Sequence, residues 1–249
     1  MKREYIRYFF SKSDCVELVY SRNVKLSFAE HNHASSYIIG IIMDGIVLLN
    51  RNNEVKPYKK DDYYIIPPYE PHSVGSDGNE CTMISVSINK AFVRECNKDY
   101  IIQLILELII NISFERIEKN SLINIVKNSV NELFTDTTYG NKSNQSLNTA
   151  IDILECRYCE KIDIEELSKS VFISKYHFIR QFKKYAGLTP HNFQVQRKIR
   201  QSQRMLRNNS NITEIALAAG FCDQSHFIKC FKKIVGITPS EYIAAQRKT

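Results

Sequence analysis

Phe172–Pro190 reads FISKYHFIRQFKKYAGLTP, and Phe221–Pro239 reads FCDQSHFIKCFKKIVGITP. At an offset of 49, ten of these nineteen positions are identical. The shared pairs are Phe172/Phe221, His177/His226, Phe178/Phe227, Ile179/Ile228, Phe182/Phe231, Lys183/Lys232, Lys184/Lys233, Gly187/Gly236, Thr189/Thr238 and Pro190/Pro239. An internal repeat is the first thing to settle, because it sets architecture. Two copies are too few for a solenoid, so the chain carries a duplicated small unit.

Each copy reads as a helix, a turn and a second helix. In the first, Asp163 with Glu166 three residues on is a helix start. Leu167 and Val171 share one face, Phe172–Ser174 is the turn, and Ser174 can cap the second helix. Phe178 and Phe182 at i, i+4 bury together, and Gly187 ends the helix. Thr189-Pro190 starts another, with proline where its missing N–H costs nothing. In the second copy Thr213 is expected to cap, Ile215, Ala216 and Ala219 to face inward, and Gly220 to break the helix. Asp223 caps the next helix, Phe227 and Phe231 bury, Gly236 ends it, and Thr238–Glu241 is a full capping box. The second turn is one residue longer, so the offset before it is 48.

Fixing the inner face fixes the outer one. Lys175, Tyr176, Ile179, Arg180, Lys183 and Lys184 project from the first copy. Gln224, Ser225, Ile228, Lys229, Lys232 and Lys233 project from the second. These types suit a helix lying in the major groove of double-stranded DNA. Arginine pairs with guanine, glutamine with adenine, and isoleucine packs on thymine methyls. The lysines suit phosphates, which position without specifying.

The run Ile212, Ile215-Ala216, Gly220-Phe221, His226-Phe227, Phe231-Lys232-Lys233, Gly236–Ser240 and Tyr242 resembles the second motif of the AraC/XylS transcriptional regulators. The first copy is similar to their first motif, with Val171-Phe172 where the second has Gly220-Phe221. The resemblance spans about Asn148 to Arg247. It implies seven helices, with two recognition helices about 34 Å apart on the long helix Pro190–Arg207. It also implies RNA polymerase as a partner should the chain be an activator.

Charge agrees. Residues 1–140 hold 16 Lys+Arg against 18 Asp+Glu, a net of −2, whereas residues 141–249 hold 18 against 9, a net of +9. The basic excess therefore sits with the repeat. Seven cysteines without paired spacing argue against a disulfide framework. No signal-peptide core or apolar run of bilayer length is present. The expectation is a cytoplasmic protein without a membrane partner.

Residues 1 to about 90 read as short strands: Val16–Tyr20, Val24–Phe28, Tyr37–Ile42, Ile46–Leu49, Tyr63–Ile66 and Met83–Ile88. Asp44-Gly45 reads as a hairpin turn. His31-x-His33 and Pro67–His72 resemble the two half-motifs of a cupin, the fold of AraC-type ligand domains. The metal-binding glutamate of that pattern is not in place; Tyr37 stands near its position. Three readings of His31, His33 and His72 stay open: a metal site, hydrogen-bonding groups lining an effector pocket with Tyr37, or structural histidines. The missing glutamate disfavours the metal, with Glu30 or Glu70 as conceivable substitutes, and no cofactor is expected. Tyr63 and Tyr64 alternate, so at most one lines a pocket.

A helix Ala91–Ile112 and a second, Leu122–Phe134, should come next. In the first, Ile102, Leu106 and Ile110 form an apolar stripe beside the one that packs on the barrel. The resemblance implies dimerisation through such a helix; the alternative partner is the second helix. Thr135–Ser146 reads as a linker. Cys156 and Cys159 read as ordinary helix residues, and Cys222 and Cys230 as space-filling. His177 and His226 lack a repeated acidic partner, which leaves acid–base chemistry unsupported.

The expected fold is α+β and multidomain. A cupin-like β-barrel with two helices covers 1–134 and serves effector binding and dimerisation. The linker is 135–146. An all-α DNA-binding domain covers 147–249, with motifs at about 163–185 and 213–235. The expected function is a DNA-binding transcription regulator, an activator or a repressor, acting as a homodimer and sensing a small molecule. The rivals are a barrel that serves only assembly and a metal-cupin enzyme.

Overall fold

The structure is a computed structural model that describes residues 5–11, 13–112, 119–135, 145–208 and 211–246. The chain forms two compact units, one through Gly140 and one from Asn141 to Ala244. The linker expected at 135–146 falls largely outside the described residues.

The first unit is a β-sandwich with helices on one side. β1 (Tyr5–Phe10), β2 (Val16–Val24), β9 (Cys81–Asn89), β4 (Ser36–Asp44) and β7 (Tyr63–Ile66) form a five-stranded sheet in the order β1-β2-β9-β4-β7. β3 (Ser27–His31), β8 (His72–Gly75), β5 (Ile46–Arg51) and β6 (Glu54–Lys59) form a four-stranded sheet in the order β3-β8-β5-β6. All pairings are antiparallel.

Alternation gives the larger sheet two apolar faces. Ile39, Ile41, Ile84, Val86 and Ile88 face the helices. Ile38, Ile42, Met83 and Ile66 face Val47, Leu49 and Val74 of the smaller sheet. Tyr63 and Tyr64 divide as alternation requires. The Tyr63 hydroxyl donates to Glu132 Oε2 at 2.6 Å, while Tyr64 lies in the sandwich interior. Burial first, then the bond to Glu132, push the Tyr63 phenol up to about 12.

Three strand expectations need correction. Val24–Phe28 is no single strand: β2 ends at Val24 and β3 starts at Ser27, in the other sheet. Asp44-Gly45 is not a hairpin turn, because β4 and β5 lie in different sheets. It is a sheet-to-sheet corner, where Gly45 (φ 79°) keeps clear of Glu80 O, 2.8 Å from where its Cβ would stand. The tight hairpin is β5–β6, turned by Asn52 and Asn53 at φ 55° and 63°. β1, β6 and β8 were not anticipated. β6 is a mostly exposed edge strand holding Pro57, tolerated there because an edge leaves N–H groups unpaired.

The expected helix Ala91–Ile112 is two helices, α1 (Lys90–Glu95) and α2 (Lys98–Ile110). The Asn97 side chain accepts the Tyr100 N–H and starts a new helix there. With α3 (Lys119–Thr135) the described residues of the first unit form three helices rather than the two expected. Ile101, Ile105 and Leu108 are buried under α3 and the sheet.

The second unit holds seven described helices: α4 (Gln145–Cys156), α5 (Ile164–Ser170), α6 (Lys175–Ala186), α7 (Pro190–Asn208), α8 (Ile212–Ala218), α9 (Gln224–Val235) and α10 (Pro239–Gln246). Phe178, Phe182, Phe227 and Phe231 are fully buried. Phe182 packs edge-on to Phe193 of α7, and Phe231 edge-on to Tyr242 of α10. At ~25 cal/mol per Å2, burying each such ring stabilises the unit by about 2–3 kcal/mol before entropy. Gly187 and Gly236 close α6 and α9 at φ 76° and 90°. Asp163 and Asp223 cap as expected, but Asn211, not Thr213, caps α8: its side chain accepts the Glu214 N–H. Thr238 and Glu241 form the reciprocal capping box.

Candidate nucleic-acid interface and effector site

In both helix pairs the second helix buries its phenylalanines and turns the opposite face outward. Lys175, Tyr176, Arg180, Lys183 and Lys184 of α6 are exposed, and Ile179 is half-buried. Gln224, Ser225, Lys229, Lys232 and Lys233 of α9 are exposed, and Ile228 is half-buried. The half-buried isoleucines occupy equivalent places between core and surface. The two faces have local tethers. Gln224 Oε1 accepts from the Thr213 hydroxyl at 2.9 Å, which ties the start of α9 to α8. The Arg180 guanidinium lies 3.5 Å from His177 Nδ1. His226 stands edge-on to Phe221, with ring centroids 5.5 Å apart.

The turns differ in a way that the aligned letters conceal. Phe221 is buried, yet Phe172 is 93% exposed with φ 59°. The backbone explains it. Phe172 N–H donates to Lys169 O as Gly220 N–H does to Leu217 O. Ile173 N–H donates to Ser168 O as Phe221 N–H does to Ala216 O. Phe172 therefore takes the place of Gly220, Ile173 that of Phe221, and Cys222 is the extra residue. Phe172 tolerates that place because its ring points into solvent. At Gly220 a Cβ would stand 2.1 Å from Cys159 O.

Sequence reading missed Lys198. From α7 its ammonium donates to Gly220 O at 2.6 Å and sits 5.5 Å from the Phe221 ring centroid. It stitches the second turn to α7, and burial lowers its pKa. Periodicity could not single it out, since it is one of many basic residues on that helix. Cys156, Cys159 and Cys222 are free and exposed, so Cys222 does not fill space; Cys230 is half-buried.

In the first unit, His31, His33 and His72 come together, with ligand-capable nitrogens within 4.8 Å of one another. His31 and His72 are cross-strand partners of β3 and β8, after a register shift between Phe28 and His31. Ring centroids are 4.4 Å apart for His31–His72, 5.1 Å for His31–His33 and 5.2 Å for His33–His72. His72 is buried; the other two are half-buried. His31 Nδ1 donates to Ala29 O at 2.8 Å, and His72 Nδ1 to Glu70 O at 2.9 Å. A carbonyl only accepts, so Nδ1 carries a proton in both rings. Tyr37 packs against the core beneath the helices rather than with the sandwich interior.

Neither proposed carboxylate joins the cluster among the described residues. Glu30 is exposed. Glu70 Oε1 lies 3.6 Å from the Arg51 guanidinium. Its burial raises the pKa, with Arg51 opposing. Tyr69, at φ 69°, donates its N–H to His33 O and accepts from the Lys90 ammonium through its hydroxyl at 2.7 Å.

On the apolar stripe of α2, Ile102 is buried and Leu106 partly so, both against the core, while Ile110 is 80% exposed. The open groove along α2 is lined by all three stripe residues, with Lys127 and Asn131 of α3 at its side. No helix among the described residues is long and apolar enough to cross a membrane.

Comparison with known proteins agrees with both units. A helix-turn-helix domain family matches residues 167–245, and a cupin domain family matches residues 23–89. An uncharacterized HTH-type transcriptional regulator of Bacillus subtilis strain 168, YbfI, is 27% identical over 234 residues, spanning 84% of this chain and 85% of its own. A second regulator of that strain, YdeC, is 23% identical over 244 residues, spanning 83% of each chain. Among solved structures, ToxT from Vibrio cholerae O395 superposes with a TM-score of 0.64 at 14% identity, covering 99% of this chain and 98% of that one. ToxT from strain SCE256 with an unsaturated fatty acid bound also gives 0.64, at 13% identity, covering 100% and 99%.

Proposed function

Since the chain is an AraC-type DNA-binding transcription regulator with an N-terminal cupin domain, not an enzyme, we propose that the outer faces of α6 and α9 read its operator and that the cupin domain senses an effector. The observation that carries the reading of DNA is the repeated exposure pattern. At an offset of 49, Ile179/Ile228, Arg180/Lys229, Lys183/Lys232 and Lys184/Lys233 stay at the surface while two phenylalanine pairs are fully buried. One side of each helix is thus spent on the core, and the basic side is what remains for DNA. Arg180 discriminates bases and the lysines hold phosphates. An effector acts by binding one DNA-competence state better than the other. ToxT, which shares this fold, binds an unsaturated fatty acid, which supports a small molecule as the effector.

The test starts from the best duplex recovered from a random-sequence selection. Arg180→Ala should relax base preference at one position by about 1–3 kcal/mol, whereas Lys183→Ala should weaken all duplexes alike and lower the salt slope by about 1. Equal losses on every sequence from both variants would sink the assignment. Sensing is tested by thermal unfolding of the full chain against sugars, amines and amphiphilic acids. A ligand at 100 times its Kd should stabilise the domain by about 2.7 kcal/mol.

A further inference from the structure

We propose that Cys159 and Cys222 form an oxidation site, joined by a hydroperoxide into a disulfide that weakens the hold of α9 on DNA. The bond itself is measured without DNA; its consequence rests on the reading of α9 as a DNA-contacting helix.

Three segments of the second unit meet at this place. The first is the loop after α4, which α7 holds: Gln194 Nε2 donates to Glu160 O at 2.8 Å and to Arg157 O at 3.4 Å. An ion pair of 2.6 Å between Arg157 and Glu160 closes that loop on itself. Cys159 sits between these anchors and is exposed. The second segment is the turn of the second motif. A Cβ on Gly220 would stand 2.1 Å from Cys159 O and 2.9 Å from Cys159 Cα, so the two backbones touch. Cys222, also exposed, follows two residues later. The third is α7 at Lys198, whose ammonium holds Gly220 O at 2.6 Å and lies over the Phe221 ring. Burial lowers the Lys198 pKa, and the Cys222 and Cys159 charges act against that. Both sulfurs are thus within electrostatic reach of one ammonium.

The first motif has no such pair. Cys222 is the extra residue of the second turn, and Phe172–Ser174 contains no cysteine.

The chemistry takes two steps. One thiolate attacks the O–O bond of the hydroperoxide, giving a sulfenic acid and releasing an alcohol, or water from hydrogen peroxide. The second thiolate attacks that sulfur and displaces hydroxide, which leaves as water. Two thiols and one hydroperoxide become a disulfide, an alcohol and water, with two electrons passing from sulfur to oxygen. Negative charge moves between sulfur and oxygen in both steps, and the Lys198 ammonium stands beside it.

The location gives the bond its effect. Cys222 directly precedes Asp223, whose carboxylate accepts the His226 N–H at 2.7 Å and caps α9. A disulfide holds its Cα atoms about 4.4–6.8 Å apart, so closure fixes Cys222 against the loop after α4. Asp223 and Gln224 are the next two residues. The cap of α9 and its first DNA-facing side chain are therefore displaced together.

Reduced full-length protein is treated with hydrogen peroxide, and its disulfides are mapped by mass spectrometry of a non-reducing digest. An intrachain Cys159–Cys222 bond is expected, reopened by dithiothreitol. Cys156→Ser should form the same bond. Cys159→Ser and Cys222→Ser change exposed positions, so the fold persists, and neither should form it. Oxidation should weaken binding to the selected duplex by about tenfold, the scale of a lost helix cap. The loss should be reversible in the parent and in Cys156→Ser, and absent in Cys159→Ser and Cys222→Ser. A bond between Cys156 and Cys159, a bond between chains, or no bond overturns the site. The mapped bond with unchanged affinity overturns its effect on DNA. Reduced protein that selects no duplex sinks the reading of α9 and the consequence built on it, and leaves the bond standing.

Discussion

Phe172 is a bulky side chain in a left-handed backbone conformation, with its ring in solvent. That conformation costs a residue with a Cβ about 1–2 kcal/mol. Glycine removes the cost but loses roughly 0.5–1 kcal/mol to the entropy of the unfolded chain. Phe172→Gly should therefore raise stability by about 0.5–1 kcal/mol in urea unfolding of the full chain. A loss would mean the ring packs on something in solution. The sequence disguised this residue, since the letter shared with Phe221 favours an alignment that the hydrogen bonds refuse. The histidines were legible as candidates, but their convergence was not. His31 and His72 meet through strand register, and no local pattern states which residues of two distant strands lie opposite each other.

The capping box that starts α10 carries a pH dependence. Glu241 Oε2 accepts the Thr238 N–H at 2.7 Å and the Thr238 hydroxyl at 2.8 Å. The backbone bond first, then the hydroxyl, hold the carboxyl below its usual range. A carboxyl depressed by folding stabilises above its unfolded pKa, about 4.3 for glutamate. That contribution fades as pH falls through the folded value. Glu241→Gln should thus melt below the parent at pH 7, and the gap should narrow towards pH 3. A gap independent of pH would show that the carboxylate's charge adds nothing. Helix ends of this kind were largely readable, because caps are local chemistry. Thr213 was misread because Asn211, two residues earlier, accepts the Glu214 N–H, and the new start at Asn97 was missed inside a longer expected helix.

For the molecule as a whole, assembly is the open consequence of α2. Ile110 is 80% exposed beside a partly covered Leu106, and covering it with a second copy removes that apolar surface from water. On the dimer reading, Ile110→Lys should weaken self-association at least about tenfold in sedimentation equilibrium, because a buried unpaired ammonium is costly. Identical dissociation curves for variant and parent would place the contact elsewhere. The stripe was visible in the sequence. That Ile102 is already buried in the core was not, since helix packing depends on how the chain returns.

The sequence by itself determined the repeat, the buried phenylalanine pairs and the basic outer faces, because these depend on local periodicity and spacing. Tertiary structure alone decided the rest. It assigned β4 and β5 to different sheets, placed Phe172 where the repeat has glycine, and sent Tyr37 to the helix side while three imidazoles met on the other. Phe172 follows the hydrogen bonds of its own turn, whereas the strand placements depend on register and sheet order. Such contacts join residues far apart in the chain, and no local preference encodes them.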